Sequence, residues 1–206
     1  MTEPSYFQAF RELYKSDVTI QDLADLEQEL YGTAEHAPSD RAVAILLGAF
    51  AETALERYLR FWKGQDLSAD EQRSLFGYDG PLAGFKAKVE RGYSFGLFGD
   101  VTKNDLEIIR VVRNGFAHCR KNLKFATPET AEMCAHLQWP DRSDAELPMG
   151  SGPDGEAWGI AGDTEGPSAR YRISVHTIAA KMFKAREMQQ TAIPLAGTAA
   201  TTAAIP

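Results

Sequence analysis

Apolar residues recur along this chain at spacings of three and four, and no stretch keeps the strict alternation of a half-buried strand. Tyr6, Phe7, Phe10, Leu13 and Tyr14 predict a helix over Ser5 to Tyr14. Thr19-Ile20-Gln21-Asp22 has the form of a capping box with Asp in place of Glu, opening a second helix that Gly32 ends. Asp40 is expected to cap the strongest helix of the chain, Arg41 to about Trp62. Its first half is apolar almost all round (Val43, Ile45, Leu46, Leu47, Phe50), and beyond Glu52 only Leu55, Leu59 and Trp62 continue the stripe. A helix with that distribution is expected at the centre, covered on most sides.

Leu75 to Leu82 reads as a structured loop, with Pro81 at the first position of a helix whose buried face is Leu82, Phe85, Val89 and Tyr93. That helix is expected to fray around Gly96 to Gly99. Thr102-Lys103-Asn104-Asp105 is expected to cap the next helix, whose core stripe is Leu106, Ile109, Val112 and Phe116. Thr127-Pro128-Glu129 opens another, with Ala131, Cys134 and Leu137 inward. From Trp139 to Gly166 the chain turns to Pro, Gly, Ser, Asp and Glu, the composition of a loop or insertion. Helical spacing returns from Ser168 to about Met188 through Tyr171, Val175, Ile178 and Phe183. The residues after Gln190 are Ala/Thr/Pro-rich and read as a disordered tail. The fold class is therefore all-α, one helical bundle of about six to eight helices and no internal repeat. Residues 1–36 supply N-terminal helices, 37–138 the core, 139–167 a Gly/Pro-rich insertion, 168–188 the C-terminal helix and 189–206 the tail.

Composition narrows the function. A length of 206 residues suits one domain with a real core. A net charge of -7 argues against broad, salt-driven adhesion to nucleic acid or anionic lipid, though a local basic site is still allowed. Cys119 and Cys134 form no CxxC pair, and His36, His136 and His176 are scattered without ligand spacing, so no metal and no cofactor is expected. The two thiols are expected to be free and buried in a reducing compartment. Met1-Thr2-Glu3-Pro4 lacks the zones of a secretory signal, and the longest apolar run, Ala42 to Ala51, is too short for a bilayer. A soluble cytoplasmic protein is expected.

The chemistry concentrates in Arg113-Asn114-Gly115-Phe116-Ala117-His118, which puts a permanent cation near a side chain that titrates close to neutrality. On an ideal helix Arg110, Asn114 and His118 share one stripe, whereas Arg113 stands about 140° from His118. The two can meet if Gly115 loosens the turn, if the helix ends before His118, or if two protomers face each other across a twofold axis. Glu52 and Glu56 either orient Arg113 or His118, or form a solvated face with Arg57 and Arg60. Lys121, with Arg120 and Lys124, forms a basic cluster that suits a phosphate backbone or simply a helix C-terminus. Phe76, Tyr78, Trp62 and Trp139 suit either a partner patch or the core.

Arg-Asn-x-x-x-His near the end of a long helix resembles the RxxxxH signature of the HEPN superfamily, many of whose members are metal-independent ribonucleases working as dimers. Three longer phrases, DRAVAILLGAFAETALE (Asp40 to Glu56), LFGYDGPLAGFKAKVERGYSFGL (Leu75 to Leu97) and NDLEIIRVVRNGFAH (Asn104 to His118), resemble the mannitol repressor (MtlR-like) family. The resemblance runs from about Ala37 to Met188 and departs at the 139–166 segment and the tail. It implies a homodimeric transcription regulator that acts through protein partners and carries no helix-turn-helix of its own, in keeping with an acidic chain. Sequence-specific DNA binding is not expected.

The second expectation is a toxin-like endoribonuclease with RNA as substrate and an antitoxin as partner. There His118 would move the proton of the RNA 2′-hydroxyl. Arg113, with Arg110, would stabilise charge on the phosphoryl oxygens, and Asn114 would orient the phosphate or the imidazole. Against both stands a plain structural role, in which Arg113 and His118 pair with Glu52, Glu56 or Glu107 and hold helices in register.

Overall fold

A computed structural model describes residues 19–31, 38–64, 67–143, 150–151, 157–158 and 165–192. The expected helix over Ser5 to Tyr14, most of the 139–167 segment and the end of the tail lie outside those residues. Among the described residues seven α-helices build an all-α bundle: α1 (Ile20–Tyr31), α2 (Asp40–Gly64), α3 (Ala69–Phe76), α4 (Phe85–Ser94), α5 (Asp100–His118), α6 (Pro128–Ala135) and α7 (Pro167–Ala192). A 3-10 turn, Trp139–Asp141, follows α6, and Gly150–Ser151 pairs antiparallel with Ala157–Trp158. Among the described residues no helix is long and apolar enough to cross a membrane.

Helix starts follow local side-chain chemistry, though not always at the residue expected. Thr19 and Asp22 do form a reciprocal box, with Thr19 N donating to Asp22 Oδ2 at 2.6 Å and Asp22 N to Thr19 Oγ1 at 3.3 Å. Ser39, rather than Asp40, caps α2, since its Oγ accepts from Ala42 N at 3.1 Å. The Asp40 carboxylate instead accepts from Phe125 N at 2.8 Å, fixing the loop after α5. Helix α3 was not expected, yet Ser68 and Glu71 make a complete capping box before it. Pro81 lies in the turn ahead of α4, which starts at Phe85, and α5 starts at Asp100 rather than at a cap around Thr102. Thr102 and Asp105, expected as cap residues, are buried inside α5. Tyr93 is partly exposed and donates to Asp100 Oδ1 at 2.6 Å instead of packing inward.

The core sits where α2, α5 and α7 meet. Leu106, Ile109, Val112 and Phe116 of α5 are buried as their spacing predicted. Val43, Leu47, Leu55 and Leu59 of α2, and Tyr171, Val175 and Ile178 of α7, close the same core. The stretch covered on all sides lies in α7, where every residue from Tyr171 to Ala180 is buried, polar Arg172, Ser174, His176 and Thr177 included. By contrast, α2 keeps a solvent side. Trp139 is fully buried, so the segment expected as a loose insertion begins inside the core. Burial pushes the Cys134 thiol up to about 12, which makes it inert, while Cys119 is only partly covered.

Helix α2 lies close against both α5 and α7 at Gly48. A Cβ there would stand 2.7 Å from Cβ of Arg113 and from Oη of Tyr171, whose hydroxyl donates to Ala44 O at 2.9 Å. Gly48→Ala must therefore push α5 or displace the Tyr171 hydroxyl. We expect a loss of about 1–3 kcal/mol, read from urea unfolding against the unchanged protein.

Candidate functional site

The motif lies on the last two turns of a regular helix. Cys119 N donates to Gly115 O at 2.9 Å, the α-helical pattern, and α5 runs through His118 before Cys119 leaves it in an extended conformation. Two of the three routes that could bring Arg113 to His118 in one chain are thereby closed. The helix neither loosens at Gly115 nor stops short of His118.

Arg113 turns inward along α2. Its Nη2 donates to Glu52 Oε2 at 3.0 Å and its Nη1 to Asn114 Oδ1 at 3.1 Å. Glu52 Oε1 accepts from Lys88 Nζ at 2.9 Å, and Lys88 Nζ also lies 2.7 Å from Glu56 Oε2. Glu56 Oε1 accepts from Arg60 Nε at 2.9 Å, and the Arg60 guanidinium lies over the Phe76 ring at 4.2 Å. The result is an alternating ladder, Arg113–Glu52–Lys88–Glu56–Arg60, joining α5, α2 and α4. Burial alone would raise the Glu56 carboxyl, but the hydrogen bonds and charges of Lys88 and Arg60 outweigh it and hold it below its ordinary value. Glu56 thus stays ionised in a half-buried place because cations flank it on both sides.

His118 points elsewhere. It is exposed, and among the described residues it makes no hydrogen bond or ion pair. Arg110 donates through Nε and Nη2 to Glu107 Oε2, at 2.9 and 2.8 Å, and so stays on its own helix. The Lys121 side chain is exposed beside Arg120 and Lys124, and its carbonyl accepts from Arg41 Nη2 at 2.9 Å. The structure thus gathers Arg113, Asn114, Glu52 and Glu56 into one ladder and leaves His118 and Lys121 on the surface, while Arg110 pairs with Glu107 apart from both.

Two residues that sequence reasoning passed over complete this region. Lys88 is 4% exposed, and its signal was a lysine between Phe85 and Val89 on a buried face. Arg41 donates to the carbonyls of Phe116, Cys119 and Lys121, closing the C-terminal end of α5. A cation in the first turn of a helix opposes the helix dipole, and that mismatch was the legible sign that Arg41 serves another helix's negative end.

Of the aromatic residues weighed as a partner patch, Phe76 and Trp139 are buried, Trp62 is half-buried and Tyr78 is 96% exposed. Comparisons with protein-family models, with curated proteins and with solved structures return no match.

Proposed function

We propose that this chain is a regulatory protein of the mannitol repressor type, working in the cytoplasm through protein contacts and as a homodimer, with a transcriptional regulator or an antitoxin as partner. One observation carries the reading: Arg113 is committed to Glu52 inside the bundle while His118 stands exposed on another side of the same helix. One chain therefore does not present Arg113 and His118 together to a phosphodiester. The outer face of α5 has the character of a contact surface. Val111 is 43% exposed, and at Gly115 an added Cβ would meet only Leu123 Cδ2, at 3.9 Å. A glycine within a helix loses about 0.5–1 kcal/mol against alanine. With no crowding inside the chain to require it, Gly115 suits the close approach of a second backbone.

The ribonuclease reading draws on the same exposed His118 with Arg120 and Lys121 beside it, and it needs a second protomer to complete a site. Incubating the purified dimer with labelled RNA separates the two. We expect intact RNA and no growth inhibition on expression. Cleavage that disappears in a folded His118→Ala variant would overturn the regulatory reading in favour of the enzyme. In the same preparations Gly115→Ala is expected to raise the stability of the monomer by about 0.5–1 kcal/mol while weakening self-association, measured by light scattering across a dilution series.

A further inference from the structure

Among the described residues, the packing of α2 against α5 leaves one side of the pair open. Arg41 and Glu52 of α2 reach α5, and Gly48 abuts Arg113, so this stripe of α2 faces its neighbour. At 100° per residue, Ala42, Leu46, Ala49 and Thr53 form the adjoining stripe. The helices run antiparallel, with the start of α2 beside the end of α5. Right-handed winding therefore brings Arg110, Asn114 and Ala117 of α5 to the same side. Burial agrees: Leu46 is 40% exposed, Ala117 is exposed, and Ala42, Ala49, Thr53, Arg110 and Asn114 are half-covered. The floor is made of small side chains with one leucine, across about 16 Å from Ala42 to Thr53. That is the length of three helical turns. The far end is closed by α4, where Lys88 reaches Glu52 and Glu56.

Charge identifies what suits this face. On the face itself Arg110 is paired with Glu107, and the surplus lies in the segments around it: residues 40–64 and 100–125 contain ten lysines and arginines against six aspartates and glutamates, in a chain whose net charge is -7. The surplus is greatest at the open end, where Arg120, Lys121 and Lys124 follow α5 and Arg41 opens α2. Arg41 spends its donors on carbonyl oxygens, and the one carboxylate beside it, Asp40, accepts from Phe125 N. An apolar stripe with a cationic rim matches an acidic amphipathic helix. A nucleic acid backbone would use the cations but would leave Leu46 and the alanines without a role, and no aromatic platform stands among the named residues of this face.

We propose that the α2–α5 face is a docking groove for an acidic amphipathic helix of a partner protein. The proposal rests on the protein-contact reading above and names the chemistry of the partner. It is tested on the full chain with two labelled synthetic 18-residue helical peptides. Both carry leucine at positions i, i+4, i+7 and i+11; one has glutamate on its polar face and the other lysine. The glutamate peptide is expected to bind at least tenfold tighter than the lysine peptide, with affinity falling as salt rises. Leu46→Asp, and separately the triple change of Arg120, Lys121 and Lys124 to glutamate, should each weaken it at least tenfold, with helical content and melting unchanged. Tyr78→Ala, on another surface, should leave it unchanged. Equal binding of both peptides, or indifference to Leu46→Asp, overturns the groove. Displacement of the peptide by single-stranded homopolymer RNA that itself binds regardless of Leu46→Asp assigns the cations to nucleic acid and overturns it too. RNA cleavage is scored separately, so failure of the groove and failure of the regulatory reading give different results.

Discussion

Replacing Arg170 with alanine is expected to lower stability by about 3 kcal/mol. Arg170 lies in the first turn of α7, and its guanidinium closes the end of α6. It donates to Cys134 O at 3.1 Å and to the carbonyls of Ala135 and Leu137, and it forms a forked pair with Asp141, both contacts at 2.7 Å. The fork holds the Asp141 carboxyl below its ordinary value through hydrogen bonding. Truncation leaves part-buried carbonyls without donors and frees the turn that seats Trp139. Arg170→Lys is expected to recover less than half of the loss, because one ammonium cannot reproduce the planar fork. Urea unfolding of the three proteins measures both values, and a loss below about 1 kcal/mol for the alanine variant would show that solvent replaces the clasp without penalty.

Asp105→Ala is expected to cost at least as much, about 3–5 kcal/mol. This carboxylate is fully buried in α5 and accepts four hydrogen bonds. They come from Gln138 N at 2.8 Å, Trp139 N at 3.0 Å, Ser174 Oγ at 2.9 Å and Asn104 Nδ2 at 3.3 Å. Removing it strands the buried Trp139 N–H and Ser174 hydroxyl and the part-buried Gln138 N–H. Burial is the largest influence on its proton and raises its pKa above the ordinary carboxylate value, against the four bonds that pull it down. The folded state therefore binds this proton more readily than the unfolded chain does. The contribution from this titration is fully present below the unfolded-state pKa, about 3.9, and is lost as pH rises through the raised folded value. The stability of the protein relative to Asp105→Asn is thus expected to increase as pH is lowered across that window. A difference that instead fell with acid would mean that the four donors outweigh burial.

These two residues also show what could be read in the chain. Periodicity identified α5 and its stripe of Leu106, Ile109, Val112 and Phe116, since those side chains belong to the hydrophobic core. It missed the identity of the enclosed helix. In α7 the buried run contains Arg172, Ser174, His176 and Thr177, polar residues whose burial the local pattern does not announce. Ser174, for example, is buried because Asp105 receives its hydroxyl 69 residues away. Asp105 was read as a cap because Thr-x-x-Asp is the local form of one, and local form cannot distinguish a carboxylate serving its own helix from one serving a turn 33 residues later. Helix α3 is the opposite case, because Ser68 and Glu71 spell out its start and only its short length disguised it.

For the candidate site, helix arithmetic alone separated Arg113 from His118. What it could not supply was the ladder, since Lys88 and Glu52 are 36 residues apart and meet only once α4 lies across α2.

Neither α5 nor α6 is followed by a glycine that could turn the chain out of the helix: Cys119 and His136 stand at those positions. The arginines at the starts of α2 and α7 collect the carbonyls left over. Each of these two helices is thus ended by a residue of another helix, 75 to 80 positions before it for α5 and 33 to 36 after it for α6. A peptide cut to the length of α5 would contain no instruction for where to stop. Its last turn is defined only when the bundle closes, so amide exchange at Cys119 should proceed on the timescale of global unfolding rather than by fraying of a helix end.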